Sequence, residues 1–180
     1  MRANSALRGS DNPLMRLEPR FAADAMLGRL ARWLRVLGFD TTCDASLPGA
    51  EQLERARQQG RILLTRNRCL MREMQPRSAF EVQGNDPLEQ LRQVVTAVGL
   101  QAPSELFTRC MLDNAELSPP LPPAQADALV PAGVRGIPGP VRRCPLCARV
   151  YWHGSHARRM RAAIDQALPG WLHGDTSSSA

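Results

Sequence analysis

The stretch FAADAMLGRLARWLRVLGFD, residues 21–40, decides how this chain folds. Three apolar residues, Phe21, Ala22 and Ala23, run into a carboxylate, Asp24. Beyond it Leu27, Leu30, Leu34 and Leu37 recur at helical steps until Gly38 supplies a stop. That pattern is a short strand, a carboxylate at its end, and an amphipathic helix. The alternation continues downstream. Residues 39–43 read as a second strand, 48–59 as a helix closed by Gly60, 61–65 as a third strand, 67–74 as a short helix and 79–83 as a fourth strand. Asp86, Pro87 and Glu89 stand as N-cap, proline at the first helical position and glutamate at the third, ahead of Leu91, Val94, Val95 and Val98, which marks the start of another helix. Strands alternating with helices predict an α/β fold, three layers deep, around a central parallel sheet. Ligands of such sheets bind at the carboxyl ends of the strands, the edge that gathers Asp24 and the residues after Thr65.

Outside this core the signals change. Residues 1–19 lack any sustained period and read as a flexible leader, so the α/β domain is expected over 20–105. The stretch 118–140 is rich in Pro, Ala and Gly and separates Cys110 from Cys144 and Cys147. Residues 106–168 therefore read as a second, smaller unit ending in a strand at 150–152 and a basic helix at 155–168 that carries Arg158, Arg159 and Arg161. Residues 169–180 read as a disordered tail. With 180 residues, 43% of them hydrophobic, the chain has room for one full domain and this appendage.

The formal charge of +6 is due to arginine alone, since the sequence has no lysine. Guanidinium forks grip phosphate in bidentate fashion, so the charge points to a polyanionic partner; a coding bias toward Ala, Arg, Pro and Gly explains the missing lysines equally well. No apolar run reaches the roughly 18 residues of a membrane span, and no signal-peptide core is evident, which predicts a cytoplasmic or nuclear protein without a membrane partner. Five cysteines, an odd number, suit thiolate metal ligands better than a disulfide framework in that compartment.

Hydrolysis of a phosphodiester with two metal ions needs several carboxylates converging at one strand edge, because Mg²⁺ and Mn²⁺ prefer hard oxygen ligands. The candidates are Asp24, Asp44, Glu51 and Asp86. Each has a structural alternative: Asp24 as a cap of the first helix, Asp44 in a turn, Glu51 on a solvated helix face, Asp86 as an N-cap. Arg29, Arg32 and Arg35 recur every three residues on the first helix and are candidates to hold RNA phosphates, the alternative being an ordinary solvated face. In the second unit Cys144 and Cys147 have the spacing that presents two thiolates to one Zn²⁺. Cys110 offers a third ligand, and Asp113 stands where a matching knuckle would place its second cysteine. His153 and His156 are alternative fourth ligands. The competing reading is a unit without metal that packs around Trp152. Cys43 and Cys69 read as core or helix residues.

The segments at residues 21–40, 60–67 (GRILLTRN), 107–110 (FTRC), 144–147 (CPLC) and 151–156 (YWHGSH) resemble, in order, the Mut-seven C-terminal ribonuclease family over about residues 20–160. The resemblance implies a PIN-like nuclease fold followed by a zinc ribbon, metal-dependent RNA cleavage with catalytic Mg²⁺ or Mn²⁺, and structural Zn²⁺. It makes RNA the expected partner, together with an RNA-silencing or RNA-processing protein. The chain resembles in particular the C-terminal part of animal 3′–5′ exoribonucleases, with no counterpart of their exonuclease domain. Asp24 matches the family's first acidic position and Glu51 a second. An enzyme reading of these residues adds Asp86 to the catalytic set with Asn67, and Arg66 to Arg29 and Arg32 as a phosphate contact. Two positions depart from the pattern. Thr65-Arg66-Asn67 stands for the usual Thr-Arg-Asp, so an amide replaces a carboxylate and cation affinity should fall; Arg109-Cys110-Met111-Leu112-Asp113-Asn114 has Asp113 in place of a zinc-binding cysteine. Three functions are expected in consequence: a ribonuclease weakened at Asn67, a non-catalytic RNA-binding module, and a protein-interaction unit.

Overall fold

The computed structural model describes residues 18–44, 46–136 and 138–173. They form two compact units, one made of residues up to 34 together with 39–101, the other of 35–38 together with 102 onward.

The first unit is built on four parallel strands, β1 (Phe21–Ala23), β2 (Thr41–Cys43), β3 (Ile62–Thr65) and β4 (Ala79–Glu81), in the order β2-β1-β3-β4. The connecting helices are α1 (Gly28–Val36), α2 (Gly49–Gln58) and α3 (Arg68–Met74), and α4 (Pro87–Val98) comes after β4. Register pairs Ala22 with Leu63 and Leu63 with Ala79. Side chains alternate along a strand, so these three share one face, and there they pack with Leu53 and Ala56 of α2 and Leu70 of α3. The opposite face carries Phe21, Ala23, Leu64 and Phe80, all buried, as are Leu30, Ala31 and Leu34 of α1 and Leu91, Val94 and Val95 of α4. Burial on both faces is why these strands read as continuous apolar runs. At the amino edge Arg61 donates to both oxygens of Asp40 (2.8 and 2.9 Å) and to the Phe21 carbonyl (3.2 Å), fastening three strands together.

Every strand thus delivers a helix N-terminus to the carboxyl edge. Asp86 caps α4 by accepting from the Glu89 N–H at 2.9 Å, with Pro87 in the first turn. Asp24 has no such duty: a 3-10 turn, Ala25–Leu27, separates it from α1, and its side chain makes no cap bond.

The second unit contains α5 (Pro123–Leu129), an antiparallel hairpin of β5 (Arg142–Arg143) and β6 (Val150–Tyr151), and α6 (Ser155–Ala167). Helix α5 and a 3-10 turn at Ala132–Val134 lie inside the proline-rich stretch where no element is expected from sequence. Pro122 and Pro123 mark its start rather than break it, because the first turn needs no N–H partners, and Ala126 and Val130 are buried. The segment expected to be a disordered tail opens with a 3-10 turn at Trp171–His173. Residues 1–17 of the leader and 174–180 of the tail lie outside the described residues. No described helix is long and apolar enough to cross a membrane.

Candidate functional site

The β2-β1-β3-β4 order places the reversal of winding between β1 and β3, the crevice where open α/β sheets bind ligands. Here the buried Thr65 hydroxyl donates to Asp24 Oδ2 at 3.0 Å and accepts from the Asn67 N–H at 3.0 Å. The Asp24 N–H donates to the Leu64 carbonyl (2.9 Å), so backbone and side chain are both fixed. Asn67 is the N-cap of α3, its Oδ1 accepting from the Leu70 N–H at 3.0 Å. A Cβ at Gly49 would lie 3.3 Å from Asn67 Nδ2, which brings the start of α2 to the same edge.

The remaining carboxylates are not all free for a metal. Asp44 accepts from the N–H and hydroxyl of Ser46 and pairs with Arg55 at 3.0 Å; the Ser46 bonds first, and Arg55 after them, hold its carboxyl below the usual range. Its turn role wins. Asp86 is taken by its cap. Glu51, in the exposed first turn of α2, carries no cap or ion-pair duty among the described residues. The edge therefore brings Asp24, Thr65 and Asn67 together and leaves Glu51 nearby in sequence order without a bond to them.

Arg29 and Arg32 are exposed, and neither they nor Arg66 have an ion-pair partner among the described residues. Arg35 does not belong with them. It is 6% exposed, and its guanidinium donates to the Met111 and Leu112 carbonyls at 2.9 and 2.8 Å. A buried fork committed to two carbonyls cannot reach phosphate. Three residues beyond Arg32 the helix has left the solvated face, and residues 35–38 belong to the second unit.

The carbonyls Arg35 holds belong to a knuckle whose side chains could ligate a metal ion. Cys110, Asp113, Cys144 and Cys147 bring their ligand atoms within 4.8 Å of one another. Cys110 Sγ and Cys147 Sγ are 3.6 Å apart, and Cys144 Sγ lies 3.4 and 3.3 Å from the two Asp113 oxygens. A tetrahedron with zinc–sulfur bonds of about 2.3 Å has edges of about 3.8 Å between sulfurs and about 3.5 Å between sulfur and oxygen. The Cys110–Cys147 and Cys144–Asp113 separations lie close to these edges, so the donor set suits a tetrahedral zinc ion.

The two halves repeat one another. Asn114 N–H donates to the Cys110 carbonyl and Ala148 N–H to the Cys144 carbonyl, both at 3.1 Å. Cys110 N–H and Cys144 N–H donate to Ala115 and Arg149 at 2.8 and 2.9 Å. Asn114 (φ 69°) and Ala148 (φ 59°) turn left-handed at the same position of each knuckle. Asp113 thus occupies a cysteine position, and its carboxylate accepts from the Ala115 N–H at 3.1 Å. His153 and His156 are not in the cluster, nor are Cys43 and Cys69. Alanine tolerates the left-handed region at a cost of about 1–2 kcal/mol. Ala148→Gly should therefore raise stability by about 1 kcal/mol net of the glycine's extra unfolded freedom, read as a melting temperature a few degrees higher; a lower melting temperature would contradict the knuckle geometry.

Two contributors escape sequence reading. Tyr151, a strand residue in the hairpin, puts its hydroxyl 3.0 Å from Cys110 Sγ and accepts from the Met111 N–H at 3.2 Å; burial first, then its bonds with Cys110, push its phenol up. Arg35 is the other, since only the fold separates it from its helix neighbours. Cysteine spacing gives no sign of either.

Comparison with curated proteins and with solved structures gives no match. The model of the Mut7-C RNAse domain matches residues 19–164, from just before β1 into α6, and so takes in both the Asp24 edge and the paired knuckles. On a match of that extent, with the Asp24 edge and the candidate metal ligands each assembled in the fold, the chain belongs to the Mut7-C RNAse domain family.

Proposed function

We propose that this chain acts on RNA phosphodiesters at the carboxyl edge of its parallel sheet, with Asp24 as the residue that holds a single divalent cation and with turnover limited by Asn67. The observation that carries this reading is the Thr65–Asp24 bond: a buried hydroxyl fixes one carboxylate oxygen at 3.0 Å at the crevice, as a ligand must be fixed, where capping would have been the ordinary use of the residue.

Mg²⁺ or Mn²⁺ is commonly held by one or two carboxylates, with waters and substrate phosphate completing the shell. Asp24 supplies one, Glu51 is the second candidate, and the pair suits one cation better than two. When bound, the cation supplies charge neutralisation and a more acidic water. The protein's own share is electrostatic: Arg29, Arg32 and Arg66 attract the phosphate backbone, and the N-termini of α1 to α4 add positive dipole ends along the edge.

The test is Mn²⁺-dependent cleavage of single-stranded RNA by the full chain. Asp24→Asn should lower the rate by about 10² or more while leaving the melting temperature nearly unchanged, the scale expected for loss of an electrostatic element of a reaction centre. Cleavage that survives this substitution rules out the site. A second reading, a non-catalytic RNA-binding module, is favoured by the commitment of Asn67 Oδ1 to the Leu70 N–H. It predicts binding that weakens steeply with salt and no cleavage by the natural chain.

A further inference from the structure

The second unit contains a cavity of about 250 Å³ in which Leu106, Phe107 and Leu172 provide apolar wall, Arg158 and Arg161 cationic wall, and His153 the boundary between them. The two arginines sit three residues apart on α6 and so share a face. Neither has an ion-pair partner among the described residues. The acidic residue of the wall, Glu105, is already matched, both its oxygens accepting from Arg142 Nη2 at 2.8 Å. The cavity therefore carries unspent positive charge beside apolar surface.

Its aromatic corner is held in place from two sides. Phe107 has a left-handed backbone, φ 61°, an uncommon conformation for so bulky a residue, and its N–H donates to the Val36 carbonyl at 2.8 Å. Strained positions that surrounding structure maintains cluster where ligands are gripped. The Phe107 and His153 rings stand 6.2 Å apart at 59°, forming a tilted corner. His153 takes that position because residue 139 is glycine: a Cβ there would lie 2.6 Å from His153 Nδ1.

We propose that this cavity binds one phosphate-bearing nucleotide, its base against the Phe107–His153 corner and its phosphate between Arg158 and Arg161. A simple anion has no use for the apolar wall. A purely apolar ligand would make no use of the two guanidinium groups. A planar heterocycle carrying a phosphate uses both, since bases stack on aromatic rings of any sequence context and arginine forks take phosphate oxygens. The volume lies just below the roughly 300–1,000 Å³ of drug-sized ligand sites, which limits the occupant to a single nucleotide. The proposal deepens the RNA-directed reading and rests on it for the choice of a ribonucleotide, whether free or at the end of a chain.

Calorimetric titration of the zinc-loaded full chain with 5′-AMP, adenosine, inorganic phosphate and a single-stranded RNA 10-mer tests it. AMP should bind about tenfold or more tighter than adenosine or phosphate alone, because the two halves of the site act together. The double variant Arg158→Gln/Arg161→Gln should lose about tenfold in AMP affinity and little for adenosine, with zinc content unchanged, and lysine at both positions should recover part of the loss. Competition between the 10-mer and AMP assigns the site to an RNA nucleotide; AMP binding without competition assigns it to free nucleotide. AMP that binds no tighter than inorganic phosphate, or indifference to the double variant, overturns the proposal. Asp24→Asn should bind AMP like the natural chain. A chain that binds AMP but never cuts RNA thus refutes only the cleavage reading, and one that cuts RNA but ignores AMP refutes only this one.

Discussion

Cys144→Ser should leave the chain without bound zinc and with its knuckles and β5–β6 hairpin unfolded, the largest loss of stability expected from any single substitution here. The small cluster inside the second unit consists of Cys110, Cys144 and Leu117, with Ala115 and Tyr151 packed against it. Two of its three buried members are candidate ligands, so this local cluster beside the hairpin and the metal site coincide. Structural zinc sites in small domains contribute an apparent 10–16 kcal/mol of binding free energy at neutral pH, and that energy becomes folding energy when the site forms only in the folded chain. Zinc should fall from one per chain to none, and amide exchange over residues 142–151 should become fast. Retained protection of the hairpin without metal would show that packing around Tyr151 and Trp152 suffices.

The same site gives a proton count. In the metal-free chain Asp113 is buried enough to raise its carboxyl, yet hydrogen bonds from Cys147, Cys110, the Ala115 N–H and Cys144 outweigh burial and hold it at about 2. The Cys147 thiol moves the other way. A backbone bond from Arg149 lowers it, but hydrogen bonding with Asp113, burial, and the neighbouring Cys144 and Cys110 carry it to about 12. At pH 7 Asp113 is already ionised and the Cys147 thiol is not. Zinc uptake should therefore release the Cys147 proton and none from Asp113, and affinity should fall as pH falls. Calorimetry in buffers of different ionisation enthalpy counts the protons released. Asp113→Cys should raise that count by one and keep the fold, because both knuckles already share one backbone geometry.

Much of the first unit is legible in its residues alone. The strand–carboxylate–helix phrase at 21–40 and the RILLT run predict β1, α1 and β3, because buried parallel strands and leucine stripes leave strong local patterns. The cap box at Asp86 predicts the start of α4 to the residue. The second unit is legible at its ligands, at the strand β6 and at the basic helix α6, and not elsewhere. Helix α5 hides in a proline-rich stretch because its prolines sit where a helix start tolerates them, and the two-residue strand β5 is too short to show a period. Arg35 illustrates a further limit: identical residues at three-residue spacing on one helix divide between solvent and interior, and only what packs against the last turn decides which. Asp24 and Asn67 are visible as residue types, but Thr65, the hydroxyl that joins them, gains its role from strand adjacency across 41 positions.

Asn67→Asp should raise Mn²⁺ affinity and RNA cleavage by more than tenfold, the largest gain available at the acidic edge. The substitution is nearly isosteric and keeps the existing duty of the side chain: aspartate caps a helix as well as asparagine does, so the Leu70 N–H retains its acceptor. It also puts negative charge at the N-terminus of α3 and, through the atom now facing Gly49, beside the start of α2, where helix dipoles favour it. Stability should not fall. A carboxylate and a dication about 5 Å apart attract by about 1.7 kcal/mol even at the dielectric of water, which alone corresponds to more than a tenfold change in affinity. Rates and Mn²⁺ midpoints would be measured for the natural chain, Asn67→Asp, and Asn67→Asp combined with Asp24→Asn. If the edge is a weakened reaction centre, the single variant gains and the double variant loses everything, because position 67 can assist a cation only where Asp24 already holds one. Cleavage by the single variant alone, from an inert natural chain, identifies a binding module that one small change in side-chain chemistry separates from an enzyme. No gain in Mn²⁺ affinity would mean that position 67 serves α3 alone and that Asp24 is fixed by Thr65 for a purpose other than metal.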